Sequence, residues 1–300
     1  MKEELLQSTQ MLLTRSGFYC SRICKIRPSS FDFVARRDNL LLIIKVLNNI
    51  DSINEENAKE LISISRFLGA LPIIVGEKTC STFLEDDIVY FRYGVPILTL
   101  KTLENYIRGR PPVVCAAPGG FYVNIDGEAF SRLKKEKELS IGQLARIAGV
   151  SRKTIQMYER GERASVEVAE RMARYIGYDF IKPITLFEEI EREEIEMKEI
   201  RDEMLKIMED IGAFIFPTYR SPFNAVSKLL DEIFIVGIND RKIFERAGII
   251  SNISRVIERK SFILAEKSKV KFIEGIPVIE KDELKRVRDP EELIDLLETE

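Results

Sequence analysis

The sequence predicts an α/β plus all-α chain, with one small helical domain set between two related α/β domains. Three observations predict it. The stretch Arg108–Gly120, RGRPPVVCAAPGG, has the prolines and small residues of a linker. The stretch Leu139–Gly177 is a run of short helices with legible caps. The last third of the chain repeats motifs of the first in the same order.

The first domain is expected over residues 1–108. Leu5, Leu6, Thr9, Leu12 and Leu13 form a helical stripe, followed by strand-like FYCSRICKI, FDFVA and LLLIIKVL. Ala58, Leu61, Ile62, Ser65 and Leu68 return to helical spacing, and LPIIV is a short buried strand. Residues 109–127 read as linker plus the strand FYVNI, and 128–182 as the helical domain. A single long acidic helix is expected over 183–210. Its seam of Leu186, Ile190, Met197, Ile200, Met204, Ile207 and Ile211 is broken by Glu193, so packing on its own domain is preferred to a dimerising coiled coil.

The second α/β copy is expected over 196–300. IGAFIF matches the region of SGFYCS, and SPFNAVSKLLDEIFIVGIN shadows SSFDFVARRDNLLLIIKVLN. ILAEKS echoes IVGEKT, and GIPVIEKDEL echoes GVPILTLKTL. The intervals drift slightly, as loop insertions and deletions produce.

Composition narrows the chemistry. Histidine is absent, which removes imidazole acid–base catalysis and imidazole metal ligation. Cys20, Cys24, Cys80 and Cys115 lack zinc-site spacing, so no metal site and no cofactor is expected. The longest apolar run, Leu40–Leu47, is interrupted by Lys45 and is far too short to span a bilayer. MKEELLQST has no signal-peptide core; a cytoplasmic protein is expected. The net charge of −3 hides an asymmetry: residues 129–175 hold eleven Lys/Arg against six Asp/Glu, hence +5, leaving −8 elsewhere. One basic surface in an acidic chain points to a polyanion.

The basic region holds the most specific pattern. Ser140 followed by Gln143 is a capping box, and Leu144, Ala145 and Ala148 make a buried face. Gly149 suits a tight turn, Ser151 caps a second helix with Ile155 and Tyr158 inward, and Gly161 stops it. Ser165 caps a further helix with Val168, Ala169, Met172 and Ile176 inward. Through Leu144-Ala145, Gly149-Val150-Ser151, Thr154-Ile155 and Glu159-Arg160-Gly161, residues 128–178 resemble the Cro/lambda-repressor helix-turn-helix, which implies a five-helix DNA-binding domain. The resemblance puts a phosphate-clamping glutamine at the start of the first helix; this chain has Ile141 there, with Gln143 two residues on. It implies that the helix beginning at Ser151 enters the major groove. Arg152 and Lys153 are then candidates for guanine edges and Gln156 for adenine, at roughly 1–3 kcal/mol of discrimination per bidentate contact. Thr154 and Arg160 are candidates for phosphate. Arg132, Lys134, Lys135 and Lys137 read as solvated surface.

The N-terminal order of helix, three strands, helix and strand is similar to the restriction-endonuclease-like fold, especially small archaeal resolvases and repair nucleases. That resemblance implies a metal site of an aspartate, a Glu-x-Lys pattern and a helix glutamate. Asp32 and Lys45 match, and Glu4 is placed for the helix residue, but Ile43 stands in the central carboxylate's position. A hydrocarbon branch offers a hard divalent cation nothing. In the second copy the corresponding residues are Asn224 and Gly237. The expectation is a nuclease-like scaffold without the reaction, in a chain similar to archaeal regulators that join a Cro-type helix-turn-helix to α/β segments. Its expected partners are double-stranded DNA and a second copy of itself, with no membrane; no residue names an effector ligand. A metal-dependent, structure-selective DNA nuclease and a protein-binding adaptor stand as the alternatives.

Overall fold

The computed structural model describes residues 2–26, 29–191 and 198–299. The first α/β unit runs α1 (Lys2–Arg15), β1 (Tyr19–Cys20), β2 (Phe33–Arg37), β3 (Leu40–Asn49), α2 (Glu55–Leu68), β4 (Leu71–Lys78), β5 (Ile88–Arg92), β6 (Val95–Leu98) and α3 (Leu100–Ile107). Strand order is β1-β2-β3-β4-β6-β5. β3, β4 and β6 are mutually parallel and the other pairings antiparallel. Leu41–Leu47 is buried without interruption, the signature of a central strand covered on both faces. Of FYCSRICKI, only Tyr19–Cys20 forms a regular ladder. The chain then bulges, since Ser21 donates to the Val34 carbonyl but the next such bond runs from Cys24 to Asp32.

The proline-rich segment proves to be sheet. β7 (Val114–Ala117) lies parallel to β5 and turns back into β8 (Gly120–Ile125) through Pro118-Gly119, where Gly119 has φ +96°. The prolines fall outside the ladder, and Val114 and Cys115 carry it. Next come α4 (Gly127–Glu136), α5 (Ile141–Ala148), α6 (Arg152–Glu159), β9 (Ala164–Ser165), α7 (Val166–Ile176), β10 (Ile181–Lys182) and α8 (Leu186–Glu191). Both β9 and β10 pair with β8, so the helical domain is continuous with a ten-stranded sheet.

Among the described residues of this domain there are four helices, not five. After α7, Phe180 fills the space, its ring 5.4 Å from that of Phe130 and fully buried with it. The next helix, α8, buries Leu186 and Ile190 in the core of the first α/β unit instead. The single long acidic helix is not found either. Lys198–Arg201 is outside any helix, and Asp202 caps a new one. Tertiary bonds override the amphipathic period here: Lys198 Nζ reaches the buried Glu60 carboxylate at 2.7 Å, and Ile200 enters a second core. Glu193 and Met197 of the expected seam lie outside the described residues.

The last third comprises α9 (Glu203–Asp210), β11 (Phe214–Pro217), β12 (Ala225–Leu229), β13 (Glu232–Ile238), α10 (Ile243–Ile257), β14 (Lys260–Ala265), β15 (Phe272–Ile273), β16 (Ile276–Glu280), α11 (Lys281–Leu284) and α12 (Pro290–Thr299). Its strand order, β11-β12-β13-β14-β16-β15, and its strand senses repeat those of the first unit. The correspondence reaches single hydrogen bonds. Asp32 accepts from Val46 N at 2.8 Å, and Asn224 accepts from Ile238 N at 2.9 Å.

The two units pack on each other. The rings of the corresponding Phe31 and Phe223 meet at 6.1 Å. α10 lies on β2, while Phe67 of α2 stacks between Phe214 and Phe216 of β11, at 5.3 and 5.0 Å. Glu60, fully buried in α2, is the polar centre of this contact. Its carboxylate accepts from Lys198 Nζ, Tyr219 N, Arg220 N and Ser221 Oγ. Glu60→Ala would strand a half-buried ammonium and two backbone donors, at roughly 1–3 kcal/mol. The urea midpoint should fall accordingly, with Glu60→Gln milder; an unchanged midpoint for the alanine variant would show the contact to be dispensable.

Candidate nucleic-acid interface

α5 opens on Ser140, whose Oγ accepts from Gln143 N, while Gln143 Oε1 accepts from Ser140 N at 2.8 Å. α5 closes on Gly149 at φ +69°, a left-handed conformation that bends the chain sharply into α6. Ala145 is small enough for the two helices to cross closely. Ser151 caps α6 by accepting from Thr154 N at 3.0 Å, and its hydroxyl also meets Thr154 Oγ1 at 2.9 Å. Ile155 and Tyr158 are buried, so the opposite flank of α6 faces outward with Arg152, Lys153, Gln156, Met157 and Arg160 exposed.

The charges on this flank differ from most of those around it. Among the described residues, no hydrogen bond or ion pair engages the side chains of Arg152, Lys153, Gln156 or Arg160. Most neighbouring cations are occupied: Arg132 with Glu136, Arg174 with Glu170, Lys182 with Asp126, Arg163 with Asn124, and Arg171 with the Ala148 carbonyl, whereas Lys135, Lys137 and Arg146 have no such partner among the described residues. Lys134, read from sequence as solvated, is buried and paired with Glu159, because α4 packs directly on the end of α6. That packing needs Gly127, where any Cβ would collide with the Glu159 carbonyl. The result is a helix whose outer face keeps its positive charge unneutralised.

Asp126 joins this domain to the sheet. It follows β8 directly and caps α4 by accepting from Glu128 N and Ala129 N. The Ala129 N–H above all, helped by the Lys182 ammonium, holds its carboxyl below the usual carboxylate range.

The nuclease-like positions do converge, though on a different chemistry. Asp32 and Ile43 are fully buried and Lys45 nearly so. Lys45 Nζ lies 3.8 Å from Asp32 Oδ2 and donates to the Ser29 carbonyl at 2.5 Å. The α1 residue at the site is Lys2, 3.7 Å from Asp32 Oδ1, whereas Glu4 is exposed. One carboxylate between two ammonium groups is an ion-pair cluster. It does not fit a divalent cation, which needs several oxygen donors and would be repelled by both lysines. In the second unit Arg246 of α10 bonds Asn224 at 3.1 Å, and Gly237 is closely approached by Ile250 and Ile263, each 3.3 Å from where a Cβ would stand. Among the described residues, no group of three or more His, Cys, Asp or Glu could hold a metal ion. Nor is any helix among them long and apolar enough to cross a membrane.

Residues 2–112 match the family model of the PD-(D/E)XK superfamily domain, and residues 131–182 match a helix-turn-helix model. Along almost the whole chain, 99%, the sequence is 38% identical to a protein of Methanococcoides burtonii, covering 96% of that protein. It is 37% identical to one from Methanosarcina barkeri and 34% to one from Archaeoglobus fulgidus, covering 97% and 98% of them. All three carry the provisional name of HTH-type transcriptional regulatory proteins. The chain belongs to this archaeal HTH-type family. No solved structure matches it.

In this family member the seven sequence-predicted DNA-facing residues gather at one corner. Arg152, Lys153, Gln156 and Arg160 line the outer flank of α6; Ser151 and Thr154 cap it; Gln143 sits in the first turn of α5. Sequence reasoning missed Lys2, whose position one turn from Leu5 and Leu6 gave a weak signal, and the exposed Met157. Removal of the Asp126 cap tests how α4 is held: Asp126→Ala should cost about 1 kcal/mol at neutral pH. Because the folded carboxyl titrates low, its contribution is present above the ordinary Asp range and is lost as pH falls through the depressed value. Melting curves of wild type and variant should therefore converge in acid, and a gap independent of pH would contradict this cause.

Proposed function

We propose that this chain is a sequence-specific, DNA-binding regulator of transcription that reads the major groove with α6. The observation carrying this reading is the exposed flank of α6, whose cations have no intramolecular partner among the described residues while most of those around it do. Unneutralised Lys and Arg on a protruding helix release counterions from DNA phosphates, and the same helix offers Lys153 and Gln156 to base edges. Met157 adds an apolar contact suited to a thymine methyl. The relatives' names agree with this reading. A cytoplasmic location follows from the partner.

One chain carries one reading helix, so a two-part operator calls for a homodimer with half-sites roughly 34–36 Å apart. The pairing surface would lie away from α2, α10, β2 and β11, which already serve the contact within the chain.

The α/β units act as scaffold and not as nuclease. What supports this is the Asp32 cluster, where Lys2 and Lys45 stand around one carboxylate and Ile43 supplies no second. Duplex and branched DNA incubated with the protein and Mg²⁺ or Mn²⁺ should remain intact; cleavage abolished by Asp32→Ala would establish the nuclease reading. For recognition, a duplex selected from a random pool should bind wild type well above a scrambled one. Lys153→Ala with Gln156→Ala should erase that preference, costing roughly 1–3 kcal/mol per lost base contact. A double variant that discriminates as wild type does would remove α6 from the reading role, and a chain that binds no duplex would favour an adaptor.

A further inference from the structure

We infer that Arg152, although it opens the reading helix, is a phosphate anchor seated on Gly142, and that sequence discrimination falls to Lys153, Gln156 and Met157. This deepens the DNA-binding reading above and rests on it. The Arg152 guanidinium is folded back across the first turn of α5. A Cβ placed on Gly142 would stand 3.1 Å from its Nε and 3.2 Å from its Nη2. Gly142 does not have the positive φ that would require glycine, and glycine inside a helix weakens it relative to alanine. What it supplies is room for the guanidinium plane.

The seated group has a definite chemistry. A guanidinium offers donors only and carries a permanent charge, and this one has no carboxylate or carbonyl bound to it among the described residues. Beside Gly142, Gln143 has its Oε1 committed to Ser140 N, at 2.8 Å, and Ser140 Oγ, at 2.7 Å, which leaves the amide N–H groups as its free function. Two side chains presenting only donors suit an oxygen-rich anion better than a base edge, and on DNA that anion is the phosphodiester. Drawn back toward α5, Arg152 is turned from the outward reach of its helix neighbours Lys153, Gln156 and Met157. It fixes the pose from which they read.

The test uses the full chain, a duplex selected from a random pool, a scrambled duplex, and anisotropy titrations at several KCl concentrations. Arg152→Ala should weaken binding to both duplexes by a similar factor, about tenfold, and flatten the salt slope by about one. Lys153→Ala should instead narrow the ratio between them. Gly142→Ala should melt higher than wild type yet bind both duplexes less tightly, an opposition that a merely structural role would not produce. Gly142→Leu, filling the seat, should weaken binding as Arg152→Ala does, and combining the two should add little. If Arg152→Ala collapses the preference between duplexes at unchanged salt slope, Arg152 reads a base and the inference is wrong. If Gly142→Leu binds as wild type, the seat has no role and the inference is equally wrong. Absence of wild-type binding to any duplex would instead remove the DNA-binding reading itself.

Discussion

The backbone ladder of β8 is the constraint on which the rest of this molecule depends. β7 occupies one of its edges, tying it through β5 to the first α/β unit, and β9 and β10 occupy the other. Asp126, the residue after β8, caps α4, and Gly127 lets α4 close on the end of α6. The pose of α6 is therefore set by main-chain hydrogen bonds and a helix cap that tie it to the first α/β unit. A helix held this way presents its side chains at low entropic cost, because little remains to be ordered on binding.

The two α/β units show how one fold is reused after its chemistry has diverged. In both, an Asp or Asn side chain accepts from a backbone N–H of the adjacent central strand, a bond that orders the strand ends whether or not the group is charged. The cation beside it comes from different places: Lys45 of β3 in the first unit, Arg246 of α10 in the second. Buried in apolar surroundings, the Asp32 carboxylate needs positive neighbours, and Lys2 and Lys45 supply them. Covering each other's helices and strands, the units form one continuous apolar core that runs from Ile43 to Ile250. Within that core Glu60 satisfies the backbone donors that the join would otherwise bury unpaired.

Much was legible in the sequence because it rests on local chemistry. Ser140, Ser151 and Ser165 cap their helices, Gly149 turns left-handed, and Ile155 and Tyr158 point inward, since capping and 3.6-residue periodicity act over a few neighbours. The repeat was legible as ordered motifs, and the missing carboxylate at Ile43 needed only the strand alternation that puts it on the face of Lys45.

What tertiary structure alone decided involves partners far apart in the chain. A proline-rich stretch became β7 because β5 offered an open parallel edge. An acidic heptad pattern was interrupted because Lys198 found Glu60, 138 residues away. Lys134, charged and ordinary in the sequence, is buried because Glu159 waits on the facing helix. The sequence by itself determined the turn, the caps and the charge of the helix-turn-helix. Which of those charges stay free for a polyanion was settled only when the folded chain had paired most of the others, because ion pairing depends on distances that linear order does not contain.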